Sequence, residues 1–115
     1  MKSTEVSRLL QGVTSGALKF SDIIAFIDSN YDYTPVQFYN GDAVNAAGTN
    51  EGSAKVFSFA KLHGLNQLDT LTLFAEHYQS VLATPDGSDH ANIRNFMHYG
   101  WHGFGMPKSA LKARS

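Results

Sequence analysis

Residues 66–83 read Asn66-Gln67-Leu68-Asp69-Thr70-Leu71-Thr72-Leu73-Phe74-Ala75-Glu76-His77-Tyr78-Gln79-Ser80-Val81-Leu82-Ala83. Leu68, Leu71, Phe74, Ala75, Tyr78, Val81 and Leu82 recur at the spacing of a single helix face. Asn66 stands where an N-cap belongs, and Asp69 three residues on can bond back to it. Thr84-Pro85-Asp86-Gly87 ends the pattern. The spacing predicts one continuous helix of about four turns. A chain built around such an element is mainly α.

The same periodicity extends the reading outward. Val6, Leu9, Leu10 and Val13 mark a first helix, with Ser3 as its N-cap. Ile23, Ile24, Phe26, Ile27 and Tyr31 mark the buried side of a second, capped by Ser21 and started by Asp22. Ser53 opens a third, with Val56, Phe57 and Ala60 inward and Gly64 closing it. Ser88 opens the last, with Ile93, Phe96 and Met97 inward and Gly100 at its end. Residues 32–52 keep no helical period and hold Pro35, Gly41, Gly48, Gly52, Asn40, Asn45 and Asn50. Asn40-Gly41 between Val36-Gln37-Phe38-Tyr39 and Asp42-Ala43-Val44 is the favoured pair for a type I′ hairpin turn. The expected fold is therefore about five packed helices, with one small β-hairpin and a long polar loop inserted between helices 2 and 3. Residues 1–106 should form a single globular domain. Lys108, Lys112 and Arg114 then follow without an acid, so residues 107–115 read as a basic, disordered tail.

Composition narrows the function classes. With 43% apolar residues in 115, wholesale disorder is excluded. Net charge is −1, which leaves no electrostatic footprint for nucleic acid. The longest apolar run is Ile23–Ile27, so neither a bilayer span nor a signal-peptide core is present. The chain has no cysteine, which excludes disulfides, thiolate zinc sites and cysteine nucleophiles.

Chemistry can reside in few places. There are five histidines, and His90, His98 and His102 with Asp86 or Asp89 are the sharpest metal set. Gly100 interrupts the His98–His102 spacing, so surface or capping histidines are the plainer reading, and no metal or other cofactor is expected. Asp89-His90 is an adjacent acid and base next to Ser88, yet helix neighbours do not face each other. Asn50-Glu51-Gly52-Ser53 leads into a helix start whose free N–H groups could bind an anion. Gly48, Gly52 and Lys55 miss the phosphate-loop spacing, and capping by Ser53 is the simpler reading. Gly100-Trp101-His102-Gly103-Phe104-Gly105 can fold Trp101 back on the helices, whereas an exposed Trp101 would anchor a partner. Asn40, Asn45, Asn50 and Glu51 of the loop are expected to face Asp89, His90, Asn92, Arg94 and Asn95 of the last helix across one cleft. Arg94 should reach loop carbonyls or Glu51, as a buried bridge that costs about 3–5 kcal/mol when one partner is removed.

Several long strings point to a family. They are Tyr33-Thr34-Pro35 with Phe38, Asn40-Gly41, and Ala47-Gly48-Thr49-Asn50-Glu51-Gly52-Ser53 with Lys55. The densest is Asp89-His90-Ala91-Asn92-Ile93-Arg94-Asn95-Phe96-Met97 with Gly100-Trp101. Across about residues 10–104 the chain resembles the HopJ type III effector family. The resemblance implies a small bacterial effector or interaction module with no assigned catalytic residue. It also implies a bacterial cytoplasmic protein that a type III system can pass into a host cell, with a host or bacterial protein as partner. Nucleic acid and membrane are not expected partners. Ser3, Thr4, Ser7, Thr14, Ser15 and Ser21 beside the single acid Glu5 are compatible with an injection signal. The alternative function is an intracellular bacterial small-ligand-binding protein or small hydrolase.

Overall fold

The structure is a computed structural model that describes residues 4–113. It is mostly helical, with small antiparallel sheets. Helix α1 spans Thr4–Ser15 and α2 Phe20–Asn30, and strands β1 (Tyr31–Tyr33), β2 (Phe38–Asn40) and β3 (Ala43–Asn45) follow. Then come α3 (Glu51–Leu62), α4 (Gln67–Thr72), α5 (Glu76–Ala83) and α6 (Ala91–Tyr99). A 3-10 turn, Gly100–Gly103, leads into β4 (Phe104–Gly105) and β5 (Leu111–Ala113).

The core is aromatic and centred on Phe57 of α3, which is fully buried. Its ring lies 5.0 Å from Phe96, 5.0 Å from Phe104, 5.3 Å from Phe74 and 6.0 Å from Phe38. These contacts tie α3 to α6, to the strands β2 and β4 and to the segment between α4 and α5. Each aromatic ring brings a large apolar surface out of water, which dominates the stability of so small a core.

The long helix expected over 66–83 is two helices. Asn66 does cap α4, its Oδ1 accepting the Asp69 N–H at 2.8 Å. The helix then stops, because Ala75 takes φ 53°, ψ −123°. A non-glycine residue held there costs on the order of 1–3 kcal/mol. The compensation is visible around it. The break lets Phe74 turn inward, 5.9 Å from Phe20 and nearly parallel to it. Glu76, just past the break, accepts the Phe20 N–H at 2.7 Å and so fixes the start of α2. Helix α2 starts at Phe20, one residue before the expected cap Ser21, and Asp22 Oδ2 accepts the Lys19 N–H at 2.9 Å. Tyr31 belongs to β1 and not to α2. The expected cap Ser3 lies outside the described residues.

The strands also exceed the expectation of one hairpin. Strand β2 pairs with β3 on one side and with β4 on the other, and β1 pairs with β5. Asn40 is a strand residue opposite Ala43, so the turn is Gly41-Asp42. Only Gly41 has positive φ, +62°, which is the type II′ pattern and not type I′. Residues 107–113 are no frayed tail. Leu111 pairs with Tyr33, Ala110 O accepts the Thr34 N–H at 2.8 Å, and Ala110 and Leu111 are buried. The apolar pair Ala110-Leu111, set among the basic residues, is what makes this segment part of the fold.

Candidate functional site

The ends of α3 and α6 meet beside β3, and they start in an unusual way. Asn50 precedes α3 at φ 49°, ψ 47°, and His90 precedes α6 at φ 52°, ψ 49°. Both residues are left-handed, and neither makes a side-chain cap hydrogen bond. The expected caps therefore do not cap. Ser53 sits inside the first turn of α3, and Ser88 precedes α6 by more than one residue. The first-turn N–H groups, which lack intrahelical partners, therefore find no acceptor on the side chain of the residue before either helix.

Five asparagines link these ends to the sheet. Asn40 Nδ2 donates to the Asn92 carbonyl at 2.8 Å and to Asn92 Oδ1 at 2.9 Å. Asn45 and Asn92 exchange hydrogen bonds, Asn92 Nδ2 to Asn45 Oδ1 at 2.9 Å and Asn45 Nδ2 to Asn92 Oδ1 at 3.2 Å. Asn50 Nδ2 donates to Asn45 Oδ1 at 2.6 Å, and Asn95 Nδ2 to the Asn40 carbonyl at 3.2 Å. Asn40, Asn45 and Asn92 are 0%, 4% and 9% exposed, so their bonds hold β2 and β3 onto α6 from inside. Buried amides must be paired to be tolerated, which makes this network a positional lock.

Beside the lock is a cleft of about 570 Å³. Its walls are Phe20 and Phe74, the β3 residues Ala43, Val44 and Asn45, the helix starts Gly52-Ser53 and Ala91-Asn92, and the rings of His77 and His90. The two imidazoles lie 4.9 Å apart, and the edge of His77 meets Phe20 at 4.7 Å. The break at Ala75 is what brings His77 here.

The structure gathers some of the expected site residues and separates others. Asn40, Asn45, Asn50, Asn92 and Asn95 converge as one network, and His90 reaches the cleft. Glu51 begins α3 but faces Tyr33. Burial pushes the Tyr33 phenol up to about 12, and the Glu51 carboxylate adds to the rise. Arg94 does not reach Glu51 or the loop. Its guanidinium donates to the Thr84 carbonyl at 2.7 Å, to the Asp89 carbonyl at 2.6 Å and to Asp89 Oδ1 at 2.6 Å. Arg94 thus clasps residues 84–89 to α6, because those carbonyls lie within one side-chain length of its own helix. The hydrogen bond from Arg94 holds the Asp89 carboxyl below the usual carboxylate range. Trp101 packs away from the cleft, 4.9 Å from Phe96, and its Nε1 donates to the Leu65 carbonyl at 2.9 Å. His98 stacks edge-on against Tyr99 at 4.5 Å. Among the described residues no group of three or more His, Asp or Glu is placed to hold a metal ion. His77 is the residue that spacing alone missed, since no glycine flags the turn at Ala75 that delivers it.

The cleft and its lock use the sequence strings that are densest in the chain. A model of the family described as HopJ type III effector protein matches residues 6–111. The chain belongs to the HopJ family. The HopJ fold is also seen in a solved structure, the crystal structure of unknown function protein VPA0580. It is 40% identical to this chain, covers 99% of it and 97% of its own length, and superposes with a TM-score of 0.86. No curated protein matches the chain. No helix among the described residues is long and apolar enough to cross a membrane.

Proposed function

We propose that this HopJ-family chain is an effector-type binding module whose working surface is the cleft between β3, α3 and α6. The observation that carries the reading is the side-by-side pair His77 and His90 in a cleft walled by the Asn45–Asn92 lock. Binding clefts join an apolar wall to a few fixed polar groups, and here Phe20 and Phe74 supply the wall. No nucleophile stands in hydrogen-bond contact with either imidazole among the described residues, so binding is favoured over hydrolysis. Family membership supports delivery into a host cell, and Val6, Leu9 and Leu10 of α1 pack in the core, so the N-terminal segment also serves the fold.

The experiment is chemical-shift mapping of the ¹⁵N-labelled chain against a set of neutral and charged polar fragments. The reading expects perturbations centred on Asn45, Ser53, His77 and His90. Perturbations confined to the groove of about 330 Å³ around Leu82, Pro85 and Met97 would contradict it. A whole-chain translocation reporter, compared between strains with and without an injection apparatus, tests the delivery half. Signal only with the apparatus is expected, and no signal in either strain would remove the effector reading.

A further inference from the structure

One wall of the cleft is a row of rings. Phe74 lies 5.9 Å from Phe20 at an interplanar angle of 13°, His77 makes an edge contact with Phe20 at 4.7 Å, and His90 follows His77 at 4.9 Å. All four rings line the cleft. They come from the start of α2, the break before α5, α5 itself and the residue before α6, so tertiary packing assembles the row. The row is also held in place. The Phe20 N–H donates to Glu76 at 2.7 Å. Gly52 leaves room for the Phe20 ring, since a Cβ at position 52 would stand 3.2 Å from Phe20 Cζ. Phe74 is 2% exposed and packs on Phe57 at 5.3 Å. A wall that is already ordered loses little freedom on receiving a flat ligand.

The rest of the lining is polar without being ionic. Asn45, Asn50, Ser53 and Asn92 contribute to it, and among the described residues no Asp, Glu, Lys or Arg does. Next to it, Asp89 Oδ2 lies 3.9 Å from His90 Nε2, but the other Asp89 oxygen accepts from Arg94 at 2.6 Å, so opposite charges stand together there. The Asn45 and Asn92 amides are committed to each other. The Ser53 hydroxyl and the His77 ring nitrogens make no hydrogen bond among the described residues. A hydroxyl both donates and accepts, and so does an uncharged imidazole. Such groups match a neutral ligand that has donors and acceptors of its own. An ionic ligand would be desolvated with no opposite charge on the wall to meet it, which is costly.

We infer that the cleft takes a flat, uncharged aromatic ring bearing amide-like donors and acceptors, its ring packed on the row that Phe20 leads and its polar edge hydrogen-bonded by Ser53 and His77. The inference rests on the reading of the cleft as the binding site and specifies its ligand class. A cleft of about 570 Å³ is in the size range of small-molecule sites. A saturated ring of equal size fills the same space but has no π-system to make offset or edge-on contacts with the row.

The test titrates the ¹³C,¹⁵N-labelled full chain with benzamide, cyclohexanecarboxamide and benzoate at constant pH and ionic strength. The first two differ in the aromaticity of the ring, and benzamide and benzoate differ in charge. The expected result is saturable binding of benzamide, about threefold to tenfold tighter than either of the other two. Its ring-current shifts should fall on the ring protons of Phe20, His77 and His90 and on the Ser53 amide. Phe20→Leu keeps an apolar side chain and removes the ring, so it should bring benzamide down to the affinity of cyclohexanecarboxamide; the wild-type comparison decides the matter if that variant fails to fold. Cyclohexanecarboxamide binding at these residues as tightly as benzamide would overturn the aromatic class, and benzoate binding as tightly would overturn the uncharged class. Either result leaves the cleft reading standing, as does silence from all three probes while other fragments shift the cleft, which overturns this inference alone. Silence from these probes and from every other fragment at the cleft would overturn both.

Discussion

Replacing Asn92 by alanine removes the centre of the lock while leaving the helix around it intact. Three side-chain hydrogen bonds go: from Asn40 Nδ2 at 2.9 Å, from Asn45 Nδ2 at 3.2 Å, and to Asn45 Oδ1 at 2.9 Å. Each contributes a net of about 1 kcal/mol when paired. Asn40 Nδ2 keeps the Asn92 backbone carbonyl, and Asn45 Oδ1 keeps Asn50, so those atoms are not orphaned. Asn45 Nδ2 loses its one partner, and the better helix propensity of alanine returns about 0.5 kcal/mol. The expected loss in urea denaturation is therefore about 2–4 kcal/mol. Asn40→Ala provides the internal contrast. It breaks two bonds to Asn92 but also removes Asn40 Oδ1, a buried oxygen with no hydrogen-bond partner. Its expected cost is smaller, about 1–2 kcal/mol. An Asn92→Ala loss below about 0.5 kcal/mol, the range of ordinary surface changes, would refute the lock. So would a cost for Asn40→Ala that exceeds it.

Leu111→Ala should cost about 2–4 kcal/mol in thermal or urea unfolding, as for a buried leucine, whereas a disordered tail would tolerate it. Arg94→Ala should cost about 1–2 kcal/mol through its lost carbonyl bonds, less than a buried bridge, and should speed amide exchange across residues 84–89. A change above about 4 kcal/mol would restore the buried reading. Asp89 is held below the ordinary carboxylate range by Arg94, so its contribution to stability is complete above about pH 4. That contribution falls away as pH drops through the lowered folded-state value. The stability difference between wild type and Asp89→Asn, followed by urea titration, should accordingly be constant near neutrality and close toward zero in stronger acid; a difference that grows with acidity would have the wrong sign.

Apolar spacing made the helices legible because burial of one face imposes that period. The facing of Asn40, Asn45 and Asn50 with Asn92 and Asn95 was legible too, since polar residues inside an otherwise apolar helix must find partners. Ala75 was not legible. Alanine has the highest helix propensity, and only the tertiary demand of Phe74 on Phe20 and Phe57 explains its positive φ. Asn50 and His90 hid the helix starts for a related reason. A serine inside a first turn looks in sequence like a cap, and only the backbone tells Ser53 from Asn50. Arg94 was assigned the wrong partners because a long side chain has equal access, in sequence terms, to a distant acid and to nearby carbonyls. Strands of three residues such as β1 and β5 carry too few alternations to announce themselves.

The orientation of the buried amides is the point on which the lock turns. Neutron diffraction on crystals of the full chain locates their hydrogens directly. The account predicts Asn92 Oδ1 accepting from Asn40 and Asn45, and Asn45 Oδ1 accepting from Asn92 and Asn50. Either amide found flipped, with its nitrogen where that oxygen stands, would contradict it.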